Sequence, residues 1–101
     1  MAKLAWSRRA LRHLRSIERT IARDAPRTAK QYVRRLKRAP ERLRKFPESG
    51  WIVEEFADPT IREIVHGNYR IVYRFQAKVV VILAVWHAAK ILDPELLSQE
   101  D

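Results

Sequence analysis

Large apolar side chains occupy every second position from Tyr69 onwards in the segment GNYRIVYRF, residues 67–75. In an extended chain, one face carries four large apolar side chains, those of Tyr69, Ile71, Tyr73 and Phe75. The opposite face carries Arg70, Val72 and Arg74. This alternation predicts a β-strand with one face in the core, and it leaves two arginines on the other face.

The first half of the chain has helical spacing. After a short predicted strand, Lys3 to Trp6, Ser7 is a suitable N-cap for a helix that runs to about Asp24. Its apolar stripe comprises Ala10, Leu11, Leu14, Ile17 and Ile21. A second helix begins near Pro26 and must end or kink at Pro40, which cannot continue a regular helix. The short connection between the helices predicts an antiparallel helical hairpin.

Beyond the segment FPESG, residues 46–50, the period changes to that of an extended chain. The predicted strands are Trp51 to Phe56, Ile61 to His66, Tyr69 to Gln76 and Val79 to Trp86, and Gly67-Asn68 and Ala77-Lys78 are predicted two-residue hairpin turns. The order β-α-α-β-β-β predicts a single α+β domain over residues 1–101. In it, the helical hairpin packs on one face of a small twisted antiparallel sheet, preceded by the short N-terminal strand.

Two-residue turns also predict a register between the strands. Tyr73 lies opposite Ile82, Ile71 opposite Ala84 and Tyr69 opposite Trp86, so that Tyr73 and Trp86 become core residues. The same register puts His87 one diagonal step from Arg70, on the sheet face away from the helices. Arg62 falls opposite Tyr73 in this register and beside Arg70 if the turn has three residues, and the sequence leaves both arrangements open.

Composition limits the class of protein. With 101 residues and 47% apolar content, the chain is long enough for one modest core. It has no cysteine, which excludes disulfides and thiolate metal sites and suggests a cytoplasmic location. The longest apolar run, Val79 to Trp86, is too short to cross a bilayer, so no membrane association is expected.

The net charge of +9 is distributed unevenly. Residues 1–46 contain 16 Lys and Arg against 3 acidic residues, whereas residues 47–101 contain 5 against 9. The basic side chains therefore belong to the predicted helices. Such an asymmetry is typical of a protein with an acidic partner, either a nucleic acid or an acidic protein, and also of solvated helix faces.

The chain contains no strong catalytic motif. Two glycines cannot build a phosphate-binding loop, and His13, His66 and His87 lack metal-binding spacing, so neither a cofactor nor a metal is expected. Arg70 can bind a phosphate and His87 can transfer a proton, and together they could support phosphodiester transfer to an RNA 2′-hydroxyl. The target-binding candidates around this sheet face are Arg62, Glu63, Tyr69, Arg70, Arg74 and His87. The alternative is that Arg70 pairs with Glu63 and keeps an exposed face soluble.

The segment PESGWIVEEFADPTIREIVHGNYRIVYRF, followed by VVVILAVWHAAKIL, resembles the RelE/ParE family of bacterial toxins. The shared features are a P-x-x-G, an R-E-I, a Y-R-I-V-Y and a strand that ends in His, in this order. The resemblance covers nearly the whole chain, because the basic helical hairpin also fits. It implies the toxin of a type II toxin–antitoxin pair, which arrests growth, contributes to plasmid stabilization and is neutralised by a cognate acidic antitoxin.

The family resemblance implies two alternative activities. RelE-like members cut mRNA on the ribosome, which would make Arg70 and His87 catalytic. The chain departs from that pattern at Ile61 and Glu63, where alternating lysines are expected, and at the alanines after His87. ParE-like members, which the chain resembles more closely, bind DNA gyrase and are not hydrolases.

A third interpretation is a nucleic-acid-binding domain without toxicity, held by its arginine-rich helices. Base-stacking aromatics are not interleaved with the basic residues, because Trp51, Trp86, Tyr69 and Tyr73 are better used in the core. An acidic amphipathic helix of an antitoxin would instead lie along the hairpin, and the antitoxin could add a strand to an open sheet edge.

Overall fold

Two helices pack on one face of a five-stranded sheet in the computed structural model, which describes residues 1–89. The strands are β1 (Lys3–Trp6), β2 (Trp51–Ile52), β3 (Ile61–His66), β4 (Tyr69–Gln76) and β5 (Val79–His87), and the helices are α1 (Arg8–Ala22) and α2 (Pro26–Arg38). The sheet order is β1-β5-β4-β3-β2. The α+β fold and the predicted element order are confirmed. The tail from Asp93, for which the sequence allows either one helical turn or a loose segment, lies outside the described residues.

The sheet is mixed: β2 to β5 are antiparallel as predicted, and the N-terminal strand, whose direction was not predicted, is parallel to its neighbour. β1 pairs in parallel with β5, from Lys3 opposite Val79 to Trp6 opposite Ile82. Parallel strands need a long connection, and here the helical hairpin and the other three strands supply it. Because this pairing joins the two ends of the described chain, local alternation could not indicate its direction.

The second strand is much shorter than predicted. Only Trp51 and Ile52 pair with β3, and the chain then leaves the sheet in a turn in which the Phe56 N–H donates to the Val53 carbonyl at 3.2 Å. Val53 and Phe56 pack against the sheet face opposite the helices. Residues 53–60 therefore form a loop that covers part of this face.

The helix ends match the residues that predicted them. Ser7 Oγ accepts a hydrogen bond from the Ala10 N–H at 3.0 Å, which confirms Ser7 as the N-cap of α1. The second helix begins at Pro26, and Pro40 lies in a 3₁₀ helix, Ala39–Arg44, that follows α2. The helical stripes pack on the sheet around Leu14, Leu36 and Leu43 in the main core.

A β-bulge at Leu83 changes the predicted register of β4 and β5. Tyr73 lies opposite Ile82 as predicted, but Val72 lies opposite Ala84, so Leu83 has no partner on β4. Ser7 Oγ donates to the Leu83 carbonyl at 3.2 Å, where β1 ends and α1 begins. Every pair beyond the bulge is shifted by one residue. Ile71 lies opposite Val85 rather than Ala84, and Tyr69 opposite His87 rather than Trp86.

Tyr73 is the central aromatic residue of the core. Its side chain is fully buried, its hydroxyl donates to the Pro47 carbonyl at 2.7 Å, and it accepts from the Gly50 N–H at 3.0 Å. These two bonds hold the loop before β2 against the sheet. Trp86, by contrast, is only half-buried and packs against the apolar cluster that contains Val53 and Phe56. Its predicted place in the core is therefore wrong.

Removing the Tyr73 hydroxyl should destabilise the protein. Tyr73→Phe leaves a buried N–H and a carbonyl without their partner, and we expect the free energy of unfolding to fall by about 1–3 kcal/mol in chemical denaturation. Tyr69→Phe is the matched control, because the Tyr69 hydroxyl makes no hydrogen bond within residues 1–89. Equal stability losses in the two variants would show that the loop does not depend on Tyr73.

The turn between β4 and β5 should gain stability from glycine. Ala77 and Lys78 both have positive φ angles, 53° and 64°, as a two-residue hairpin of type I′ requires. L-residues are strained there, so Lys78→Gly should raise the free energy of unfolding by about 1 kcal/mol. Lys78→Ala serves as the control because it removes the same side chain and keeps the strain. A gain of the same size in Lys78→Ala would attribute the effect to lost charge.

Candidate functional site

Arg70 lies at the centre of the sheet face opposite the helices and is bound by two glutamates. Its Nε donates to both carboxylate oxygens of Glu63, at 3.0 and 3.1 Å, and Nη2 also contacts Glu63 Oε2. Nη1 donates to Glu55 Oε2 at 2.9 Å. The side chains of Arg70 and Glu63 are 14% and 12% exposed. The predicted alternative, a pair between Arg70 and Glu63, is therefore what the structure contains, with a second glutamate added.

The electrostatics of this cluster favour the internal pairs. The hydrogen bonds that Arg70 donates to Glu63, and then those to Glu55, raise the pKa of Arg70, and the hydrogen bond from Arg70 lowers the pKa of Glu55. Two carboxyl groups meet one guanidinium, so the cluster presents no surplus positive charge. A phosphate could reach Arg70 only by displacing a carboxylate that already occupies the guanidinium edge.

The two other arginines of this sheet region are also engaged. Arg74 approaches Asp58 Oδ2 at 3.4 Å, and a hydrogen bond from Thr60 lowers the pKa of Asp58. Arg62 lies opposite Tyr73, which settles the alternative between the two turn lengths, and it donates to the Gly50 carbonyl at 3.0 Å. Both side chains hold loops against the sheet.

His87 does not share a face with Arg70, so the prediction that the two residues lie on the same sheet face is wrong. Directly opposite residues of an antiparallel pair lie on the same face. His87 pairs with Tyr69, and their rings meet edge to face with centroids 5.4 Å apart, whereas Arg70 pairs with Trp86. The cause is the bulge at Leu83, which moves His87 to the face that carries the helices.

His87 instead borders a cleft between α1 and the end of β5. The cleft has a volume of about 330 Å³, and its lining residues are His13, Ser16, Ile17, Thr20, Tyr69, Val85, Trp86 and His87. Nδ1 of His13 accepts a hydrogen bond from the Val85 N–H at 3.0 Å, beyond the end of β1. This cleft is not among the sites predicted from the sequence. Its signal was the helical spacing of His13, Ser16, Ile17 and Thr20, but only the bulge brings His87 to it.

A row of aromatic rings runs from this cleft across one end of the sheet, from β5 to β3. Tyr32 lies 5.9 Å from both His66 and Tyr69, measured between ring centroids, and Tyr69 contacts His87. Burial, and then the neighbouring Tyr32, raise the pKa of Tyr69. Tyr69 is half-buried and Trp51 is 76% exposed, so the prediction that these aromatics lie in the core holds only for Tyr73.

Metal-ligand clusters and membrane-spanning helices are both absent from residues 1–89. No cluster of three or more His, Cys, Asp or Glu that could hold a metal ion occurs in that range. None of the helices described there is long and apolar enough to cross a membrane.

The chain matches known toxins along most of its length. The model of the family "ParE toxin of type II toxin-antitoxin system, parDE" matches residues 4–92. Toxin RelE2 of Caulobacter vibrioides is 35% identical over 92 residues, which are 90% of this chain and 100% of that protein.

Two solved structures have similar folds. The chromosomal ParDE toxin–antitoxin system from P. aeruginosa gives a TM-score of 0.73 at 20% identity, covering 86% of this chain and 96% of that one. The toxin–antitoxin complex RelBE2 from Mycobacterium tuberculosis gives a TM-score of 0.58 at 22% identity, covering 85% and 96%. At these identities the structures show the likeness of fold, and the family model and the Caulobacter relative carry the assignment. The chain belongs to the RelE/ParE family, the toxins of type II toxin–antitoxin systems.

Proposed function

We propose that this toxin arrests growth by binding DNA gyrase and does not cut mRNA. The observation that carries the proposal is the separation of Arg70 from His87, which lie on opposite faces of the sheet. A phosphodiesterase needs a cation and a proton-transfer group at the same phosphate. In this fold the sheet stands between the two candidates.

The surroundings of Arg70 support the same conclusion. On β3, where the family resemblance implies alternating lysines in RelE-like enzymes, Ile61 is buried and Glu63 binds Arg70. After His87 the chain continues with Ala88 and Ala89, which have no group for proton transfer. The positions that would carry nuclease residues thus hold a buried apolar residue, a glutamate that neutralises Arg70, and two alanines.

Ribosome-dependent mRNA cleavage is the second candidate. It is favoured by the Caulobacter relative, whose name is Toxin RelE2. On this alternative, His87 would act from the helix face, together with other groups of the cleft that it borders. The gyrase hypothesis predicts that DNA synthesis stops first, whereas the ribosome hypothesis predicts that protein synthesis stops first.

An antitoxin is the proposed partner of the helical hairpin. Between Arg8 and Arg38 the chain has twelve Lys or Arg and only two acidic residues, Glu18 and Asp24. Both similar solved structures are of toxin–antitoxin systems, which supports a partner of this kind. We propose that an acidic amphipathic helix of the antitoxin lies along this hairpin, with charge accelerating encounter and apolar contacts supplying most of the affinity.

Induction of the toxin in bacteria should stop DNA synthesis before protein synthesis. A toxin that binds gyrase blocks replication, so we expect thymidine incorporation to fall first while amino-acid incorporation continues for the first minutes. Co-induction with the cognate antitoxin is the control, in which both syntheses should continue. A prior loss of amino-acid incorporation, with newly cut mRNA ends, would favour the ribosome instead.

His87→Ala should leave toxicity nearly unchanged. General acid–base catalysis contributes roughly 10²- to 10⁴-fold, and a binding surface loses that much only at a hot spot. We therefore expect growth arrest at an inducer level within a few-fold of that for the wild type. Circular dichroism checks the fold of the variant. A requirement for at least a hundredfold more toxin would identify His87 as catalytic.

Reversing charges on the hairpin should weaken the antitoxin complex. Arg15→Glu with Arg19→Glu changes two exposed residues of α1, and we expect slower association and about tenfold or greater loss of affinity at low salt. Lys3→Glu with Lys78→Glu makes the same change of net charge at exposed positions outside the hairpin. Equal losses in both double variants would show that net charge, and not the hairpin, governs binding.

A further inference from the structure

Four aromatic side chains form a continuous row at one end of the sheet. In spatial order they are His66, Tyr32, Tyr69 and His87, and we call this row the ring strip. Successive ring centroids are 5.9, 5.9 and 5.4 Å apart. The rings come from α2, from both sides of the β3–β4 turn and from the end of β5, so only the folded chain assembles them. His66, Tyr32 and Tyr69 are half-buried and His87 is exposed.

A basic cleft adjoins one end of the ring strip. Its volume is about 310 Å³, and its lining residues are Arg35, Arg38, Ala39, Arg42, Ile64, Val65 and His66. All three arginines are exposed, unlike Arg70. Val65, one of these lining residues, is 54% exposed. The other end of the strip reaches the cleft beside α1, in which Tyr69 and His87 are lining residues.

We propose that the ring strip and the basic cleft bind single-stranded nucleic acid. The backbone phosphates would lie against Arg35, Arg38 and Arg42, and unpaired bases would stack on the exposed parts of the rings. Proteins that bind single strands combine these two features, a positive groove that follows the backbone and aromatic side chains that accept bases. The length of the row fits roughly four nucleotides at ordinary site sizes. This site is separate from Arg70 and requires no chemistry, so it does not depend on the choice between gyrase and ribosome.

The ring strip distinguishes this ligand from two others that a basic cleft could bind. A duplex keeps its bases stacked inside, so it could use the arginines but not the rings. An acidic peptide could pair with the same arginines, and loss of a ring would affect it little. Only an unpaired strand needs both the rings and the arginines, and the experiment therefore changes them separately.

The binding test uses the purified full chain and fluorescently labelled oligonucleotides. Anisotropy is measured with twelve-residue oligo-dT, with oligo-rU of the same length and with a twelve-base-pair DNA duplex, each at several salt concentrations. We expect both single strands to bind at least tenfold more tightly than the duplex, and the ratio of the two single-strand affinities identifies DNA or RNA as the preferred source. Duplex binding as tight as single-strand binding would overturn the proposal.

The ring variants test stacking. Tyr69→Leu should weaken oligo-dT binding about tenfold, the order of effect expected for one stacked base, whereas Tyr69→Phe should bind like the wild type because it keeps the ring. His66→Leu provides a second position in case Tyr69→Leu does not fold. Wild-type affinity in a folded Tyr69→Leu or His66→Leu protein would reduce the site to a plain cation cluster and overturn the proposal.

The charge variants test the location of the backbone. Arg35→Gln with Arg38→Gln should make the slope of log affinity against log salt smaller by about 1.4, since each lost single-strand phosphate contact contributes about 0.7. Arg23→Gln with Arg27→Gln removes the same charge at the turn between the helices, and neither residue lines either cleft. The proposal fails if both double variants lose affinity equally.

Discussion

The bulge at Leu83 determines which side chains of β4 and β5 share a face of the sheet. Before Leu83 in the chain, β5 is paired with both β1 and β4. From Leu83 onwards β1 has ended, and the side chains of Ser7 and His13 bind the main chain of β5 instead. One inserted residue moves His87 beside Tyr69 and leaves Arg70 opposite Trp86. The proposed gyrase-binding activity and the ring strip both follow from this shift, because it separates His87 from Arg70 and joins it to the aromatic row.

The positive charge of the chain is not used uniformly. On the sheet, Arg70 and Arg74 each approach a carboxylate from the loop after β2, and Arg62 holds the loop before it. These arginines stabilise the covering loops, which contain little regular structure of their own. On α2 and the 3₁₀ helix, Arg35, Arg38 and Arg42 stand around an open cleft. Residue type alone therefore does not indicate a binding site; the neighbouring carboxylates decide which arginines attract an anionic partner.

Alternation predicted β4 well because its two faces differ in composition, and Ser7 and Pro26 predicted the starts of both helices. The segment from Val79 to Trp86 is apolar on both faces, so hydrophobicity could not reveal a one-residue shift. β2 was overpredicted because Val53 and Phe56 are buried, but in a loop that folds over the sheet. Glu55, in that loop, contacts Arg70, which is fifteen residues away in the chain. Tyr32 contacts Tyr69 only when α2 packs on the sheet. Periodicity carries no information on such non-local contacts.

Growth arrest through gyrase binding can be tested with purified components. The folded toxin is added in increasing amounts to a gyrase supercoiling reaction, which contains no ribosomes or mRNA, and a sample saturated with antitoxin serves as the control. Gyrase binding predicts that supercoiling falls as toxin is added and that antitoxin restores supercoiling. Full supercoiling in the presence of excess folded toxin, with mRNA cleavage by the same preparation in a purified translation reaction, would contradict it.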